Sequence, residues 1–271
     1  MWNDGQLTIL LNIIREAGSE ILSVYSDKTI SRISYKDDDS PITEADRLAN
    51  GIIVRELKKL PLNFPILSEE SEKPSYNERQ SWADYWLIDP LDGTKEFIKE
   101  NGEFTVNIAH IRNGIPEMGA VHVPVSGVTY IGKKGLGAWR INQDDFTEEI
   151  HSRKIDTSSR PLKVLASRSH RNDLLDNLIR NISGKVGDLE VIAMGSSLKI
   201  CLLAEGKADL YPRLTPTCEW DTAAAHAVLA GSGGEIFDVN FRALKYNQKS
   251  SLVNPNFFAV ADPNFDWDKL L

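Results

Sequence analysis

The chain has 271 residues, with 41% hydrophobic and 26% charged side chains and a formal net charge of −8. That composition fits a water-soluble globular fold with a substantial core, and the negative balance argues against a nucleic-acid polymer as partner. Two cysteines, Cys201 and Cys218, are too few for a disulfide scaffold and fit a reducing compartment.

No apolar run is long enough to span a bilayer, and the start Met1-Trp2-Asn3-Asp4-Gly5 lacks the basic and apolar regions of a signal peptide. The expected location is therefore cytoplasmic. From Leu7 to Tyr25, apolar residues recur at helical spacing through Leu10, Ile14, Ala17, Ile21 and Leu22. A second helix is expected to start near Thr43, to carry Leu48, Ile52, Ile53 and Leu57, and to end by Pro61. Two short strands follow, Pro65-Ile66-Leu67 and Tyr85-Trp86-Leu87-Ile88, each delivering an acid at its end. The runs Val106–Ile111, Met118–Val125, Val128–Gly132 and Gly137–Ile141, divided by turn signals, predict an antiparallel sheet. Beyond Arg160 the pattern alternates. Strands are expected at Val164–Ala166, Glu190–Ala193, Ala208–Tyr211 and Glu235–Phe237, and helices near Asn172–Asn181, Ser196–Ala204 and Asp221–Leu229. Such alternation suggests an α/β half. The boundary is placed in the polar stretch Gln143–Pro161, dividing the chain into residues 1–155 and 156–271.

The most informative segment is Trp86-Leu87-Ile88-Asp89-Pro90-Leu91-Asp92-Gly93-Thr94. A strand ends in an acid, and a tight loop then presents a second one. Hard cations such as Mg²⁺ take oxygen ligands, so Asp89, Asp92 and the Leu91 carbonyl can hold one or two ions. A helix starting at Thr94 would offer amides to a phosphate. An Asp-Gly turn with a capping Thr is the ordinary alternative.

With the Asp-Pro-x-Asp-Gly-Thr loop go Ser68-Glu69-Glu70 after a strand and Trp220-Asp221-Thr222-Ala223-Ala224 opening a helix. In these motifs and their order the chain resembles the inositol monophosphatase superfamily along essentially its whole length. Within that superfamily it looks most like the 3'(2'),5'-bisphosphate nucleotidase branch. Lys95-Glu96-Phe97, the run Gly102–Ile108, Gly195-Ser196-Ser197-Leu198-Lys199 and Tyr211-Pro212-Arg213 carry that finer likeness.

The resemblance implies a two-subdomain α/β (α+β) fold layered as an αβαβα sandwich. It implies one Mg²⁺ on Glu69, Asp89 and the Leu91 carbonyl, a second on Asp89, Asp92 and Asp221, and a third near Glu69 in some members. Asp46 and Thr94 become the water-activating pair. Gly93, Thr94, Ser196, Ser197, Lys199, Arg213 and Asp221 contact substrate, with His170 near the nucleotide base. Lys199 and Arg213 suit a second phosphate. The implied substrate is a small bisphosphate nucleotide, 3'-phosphoadenosine 5'-phosphate, converted to AMP. Lithium inhibition, a place in sulfur metabolism and a peripheral inner-membrane contact belong to the same expectation.

Three alternatives stay open from sequence. One is a sibling phosphatase for inositol phosphates or fructose 1,6-bisphosphate. Another is a haloacid-dehalogenase-type enzyme, which the Asp89-to-Asp92 spacing disfavours by one residue. The third is a non-catalytic nucleotide or metal sensor. Each acid also has a structural reading: Asp46 as part of a capping box, Asp221 as a helix cap, and Glu69 as a surface acid.

Overall fold

The structure is a computed structural model that describes residues 4–27, 34–35, 41–157, 160–167 and 173–271. Helix α1 (Asp4–Ser26) buries Leu10, Ile14, Ala17 and Ile21 along one stripe, as the spacing predicts. A small hairpin, β1 (Ser34–Tyr35) and β2 (Pro41–Ile42), leads into α2 (Glu44–Leu57). The first large sheet then forms from β3 (Ile66–Ser68), β4 (Asp84–Asp92), β5 (Thr105–Arg112), β6 (Ile115–Val123), β7 (Val128–Lys133), β8 (Gly137–Ile141) and β9 (Thr147–Glu149), in that order. Two short helices, α3 (Tyr76–Arg79) and α4 (Thr94–Ile98), flank β4. All neighbours in the sheet are antiparallel except β3 and β4. Strand β9 lies inside the polar stretch read as a boundary. Its Thr-Glu-Glu sequence is fully exposed and gives no hydrophobic signal.

The second sheet runs β11 (Leu189–Met194), β10 (Leu162–Ser167), β12 (Leu210–Arg213), β14 (Phe257–Val260), β13 (Glu235–Asp238). Helices α5 (Asp173–Val186), α6 (Leu198–Ala204), α7 (Trp220–Ser232) and α8 (Trp267–Leu270) complete the chain. The βα alternation holds for β10, β11 and β12, which are parallel. It fails for β14, which is antiparallel to both β12 and β13. The alternation reading expected no strand at Phe257-Phe258-Ala259-Val260, a short apolar run with no helix beside it to mark the crossover.

Five layers result. Helices α1 and α2 cover one face of the seven-stranded sheet, α6 and α7 lie between the sheets, and α5 and α8 share the outer core of the five-stranded sheet. Strand β4 shows why its sequence is apolar throughout. Trp86 and Ile88 face α1 and α2, while Tyr85 and Leu87 join the core around α7, so both faces are buried.

The α7 contact is unusually close. Gly119 on β6 pairs with Gly132 on β7, and the two make a side-chain-free trough. A Cβ at Gly132 would lie 2.2 Å from Val228 Cα, and one at Gly119 would lie 2.2 Å from Ala224 O. The small residues of Ala223-Ala224-Ala225 complete the fit from the helix side. Gly132→Ala is therefore expected to cost about 3 kcal/mol by overpacking. Gly51→Ala, with nothing near its Cβ on α2, should add about 0.5–1 kcal/mol through helix propensity. Urea unfolding of both variants checks the pair, and equal effects would remove the trough argument.

On the opposite side α1 rests on His122 of β6, whose Nδ1 lies 2.9 Å from Thr129 Oγ1. Burial, reinforced by Arg15, pushes this imidazole down to about 4 from 6.5. The unfolded chain takes up that proton near pH 6.5 and the folded chain near 4, so stability falls as pH drops between them. By pH 5 the loss from this one group is about 2 kcal/mol. In urea unfolding at pH 7 and pH 5, wild type should lose about that much more stability than His122→Gln. A difference that does not change with pH would overturn the neutral, buried assignment.

Candidate active site

In a strand, residues three apart face opposite sides, yet Asp89 and Asp92 face the same side. Asp89 pairs with Asn107 and Asp92 with Thr105, so three steps on β4 match two on β5. This bulge, at Pro90-Leu91, resets the parity. Leu91 N–H donates to Asp89 Oδ1 at 3.0 Å and fixes the turn. Gly93 then adopts φ 95°, a left-handed conformation that side chains resist, and α4 begins at Thr94.

Glu69 follows β3, and its N–H donates to Ile88 O at 3.1 Å, which sets it beside Asp89. Asp221 arrives from the first turn of α7, where its Oδ2 accepts from Cys218 N–H at 2.9 Å. Carboxylate oxygens of Glu69, Asp89 and Asp221 all lie within 4.8 Å of one another. Asp92 stands beside them, but its Oδ2 accepts from Ser197 N–H. The tightest trio therefore draws one acid from each of three separate segments, and Asp92 faces the Ser197 loop as well as the cluster.

The cluster is electrostatically strained. Burial, then Glu69, Asp92, Asp221 and Asp46, raise the Asp89 carboxyl well above its usual range. Burial, Asp92 and Glu69 do the same to Asp221 against the Cys218 amide. Asp92 is pushed up to about 6 by burial, with Lys199 and the Ser197 amide opposing. An all-oxygen donor set of clustered acids fits a hard divalent cation.

Asp46 satisfies both of its sequence readings at once. Its Oδ2 accepts from Thr43 N–H at 2.7 Å and Thr43 Oγ1 at 2.6 Å, which caps α2. Its Oδ1 accepts from Thr94 Oγ1 at 3.3 Å.

A cavity of about 260 Å³ opens over these groups, lined among others by Glu69, Asp92, Thr94, Ser196, Lys199, Arg213 and Asp221. Ser197 lines the cavity too, and its hydroxyl has a structural part besides. Its Oγ donates to Asn107 Oδ1 at 2.9 Å and lies 2.8 Å from Thr105 Oγ1, so it bolts the loop onto β5. Ser196 holds a left-handed φ of 45°. Lys199 is buried, not a solvated surface charge, and its Nζ donates to Met194 O and Ser196 O at 3.2 and 2.6 Å. Burial lowers its ammonium to about 8, with Arg213 in the same direction and Asp92, Glu96 and Glu103 opposing. Arg213 donates from Nε to Thr215 O and from Nη2 to Pro216 O, both at 3.1 Å. His170 lies outside the described residues.

Two supporting residues have no role in the sequence reading, although Glu103 stands in the Gly102–Ile108 run. Asn254 Nδ2 donates to Cys218 O at 2.7 Å and Thr222 Oγ1 at 3.1 Å, steadying the turn that presents Asp221. Glu103 Oε2 accepts from Gly195 N–H at 2.7 Å. Asn254 sits in Val253-Asn254-Pro255, which reads as an ordinary turn, and its partners are 32 to 37 positions away.

A bulged strand end and a cluster of acids within a layered αβαβα frame define a site suited to a hard divalent cation. The chain belongs to the inositol monophosphatase family, whose family description matches residues 2–263. It is 43% identical over 245 residues to the 3'(2'),5'-bisphosphate nucleotidase CysQ of Salmonella typhimurium, covering 90% of this chain and 95% of that protein. The CysQ of Haemophilus influenzae is 36% identical over 266 residues, covering 98% and 96%. A crystal structure of CysQ from Bacteroides thetaiotaomicron superposes with TM-score 0.84 at 39% identity, covering 96% and 98% of the two chains. An inositol monophosphatase from Thermotoga maritima, at 21% identity and TM-score 0.78, shares the fold.

A carboxyl whose folded value exceeds its unfolded value stabilises the fold at low pH. That contribution is lost as pH rises from the unfolded value of 3.8 through the folded one. At pH 8 and without divalent cation, Asp221→Asn should accordingly raise stability by roughly 1 kcal/mol. The same variant should lose most of the rise in Tm that MgCl₂ gives the wild type. Calorimetry with EDTA or with MgCl₂ measures both, and an undiminished MgCl₂ response would remove Asp221 from the ligand set.

Proposed function

We propose that this chain is a Mg²⁺-dependent 3'(2'),5'-bisphosphate nucleotidase that removes the 3'-phosphate of 3'-phosphoadenosine 5'-phosphate, giving AMP and phosphate. One observation carries the reading: Glu69 and Asp221 of the acidic trio line a cavity whose wall also includes the cations Lys95, Lys199 and Arg213, the last two from the second half of the chain. A bisphosphate needs both, because one phosphate goes to the metal and the other needs a cationic partner. The likeness to CysQ nucleotidases along nearly the whole chain supports the same substrate class.

Glu69, Asp89, Asp92, Asp221 and the Leu91 carbonyl are the groups that would hold two or three Mg²⁺ ions. Bound there, Mg²⁺ supplies Lewis-acid activation of water and neutralises phosphoryl charge. The chain's own residues do the rest. Thr94 donates a hydrogen bond from its hydroxyl to Asp46 Oδ1, which leaves the Oγ1 lone pairs to accept from a water and orient it. The amides of Gly93 and Thr94, at the start of α4, donate to the phosphoryl oxygens. Gly195, Ser196, Lys199 and Arg213 select the nucleotide from the second half of the chain, with His170 as the base-side contact. Residues 1–155 thus carry most of the metal chemistry and residues 156–271 the selectivity, with Asp221 crossing over. Among the described residues no helix is long and apolar enough to cross a membrane. A cytoplasmic enzyme of sulfur metabolism, inhibited by lithium and touching membranes only peripherally, completes the reading.

Phosphate release from the bisphosphate nucleotide, inositol 1-phosphate and fructose 1,6-bisphosphate tests it. The nucleotide should be preferred at least tenfold in kcat/KM. Arg213→Ala should cost the nucleotide about tenfold to a hundredfold, the worth of one charge-assisted hydrogen bond, and cost a monophosphate much less. A wild-type preference for inositol 1-phosphate would replace the nucleotidase reading by its sibling. Equal losses on both substrates would assign Arg213 to the Thr215-Pro216 turn that it already bonds.

A further inference from the structure

A second cavity, of about 510 Å³, lies between Glu219, the N-cap residue of α7, and the 238–255 segment, and it shares no lining residue with the active-site cavity. Its lining carries three cations, Arg242, Lys245 and Lys249, and two acids, Glu219 and Asp238. In a chain of net charge −8, this is a local reversal of sign. All three cations are exposed, and no ion pair or side-chain hydrogen bond holds any of them among the described residues.

Both acids are already engaged. Glu219 is buried, and its Oε1 and Oε2 accept from Asn247 N–H at 3.0 and 2.9 Å. Asp238 Oδ1 accepts from the amides of Asn240 and Arg242 at 2.8 and 3.0 Å. Backbone amides therefore blunt the negative charge in the wall. Lys249 also acts on Glu219, while Arg242 and Lys245 stay available. The volume lies in the range of small-molecule sites. Its apolar lining is Ala243, Leu244 and Pro255, with no aromatic ring on which a base could stack.

We propose that this cavity is a second anion site, separate from the catalytic one, that takes a compact multiply charged oxyanion of the phosphate or sulfate class. Arg242 supplies a guanidinium fork for two oxygens, and Lys245 and Lys249 supply point charges around them. The backbone beneath is stiff. The buried Arg79 donates to Asn247 Oδ1 and to the carbonyls of Lys249 and Ser250, so two of the lining positions, Gln248 and Lys249, sit on an anchored loop.

Calorimetric titration of the full chain with inorganic phosphate, in MgCl₂ buffer, tests the proposal. Asp221→Asn, weakened at the catalytic site, should still bind phosphate. Adding Arg242→Gln, Lys245→Gln and Lys249→Gln to it should weaken that binding at least tenfold. The same three changes in the wild-type background should leave turnover of a phosphate monoester intact, which shows that the fold survives. Lys245→Gln alone, a change at an exposed position, should weaken phosphate several-fold and serves if the triple variant misfolds. Parallel titrations with sulfate and AMP separate the sources. Sulfate and phosphate binding tenfold tighter than AMP marks a free-anion site, and equal AMP binding marks the phosphate arm of a nucleotide. Absence of phosphate binding in Asp221→Asn, or an affinity indifferent to all three cations, overturns the proposal.

Discussion

The rest of the molecule depends on how closely α7 approaches the seven-stranded sheet. Side-chain-free positions at Gly119 and Gly132 let backbone meet backbone, and no residue with a Cβ fits there without displacement. This contact holds the second half of the chain against the first. It also sets the height at which the first turn of α7 meets the ends of β3 and β4. Asp221 reaches Glu69 and Asp89 because the helix lies that low. A helix raised by even one methyl layer would withdraw one of the three acids. Packing about one to two turns along α7 from the chemistry therefore decides whether the cluster exists.

What the packing assembles is costly by itself. Like charges gathered in a buried place raise one another's proton affinity, and the fold surrenders stability to hold them. The surroundings reduce that cost at the edges. Asp92 gains the Ser197 amide and the neighbouring Lys199, and Asp221 gains the Cys218 amide. Among the described residues the Asp89 carboxylate accepts from the amide two residues on and from no other donor, and its environment is the one a divalent cation would relieve most.

Residues at this site also do two jobs. Asp46 caps α2 with one oxygen and receives Thr94 with the other. Asp221 secures the first turn of α7 while facing the acids. Lys199 and Arg213 fasten backbone carbonyls while lining the cavity. A capping reading and a catalytic reading of the same side chain are thus compatible, because a carboxylate has two oxygens and a guanidinium five donors. Such sharing keeps the groups from drifting, since each is held by the element that it terminates.

The sequence by itself determined the helices α1, α2 and α7, the antiparallel run from β5 to β8, and the acids that end β3 and β4. These follow from local periodicity, turn residues and the order of motifs, which act over a few positions. It also carried the family resemblance, because that rests on short motifs in a fixed order. The tertiary structure decided what depends on distant partners. Strand β14 runs antiparallel because β12 and β13 flank it, and β9 exists because β8 offers an edge to an otherwise polar segment. The parity of Asp89 and Asp92 was set by a bulge visible only against β5. Ser197 became a bolt between loop and sheet because Thr105 and Asn107, some ninety positions earlier, stand directly beneath it. Hydrogen bonds of that span leave no periodic trace in a chain. They form only when packing has brought the two segments together.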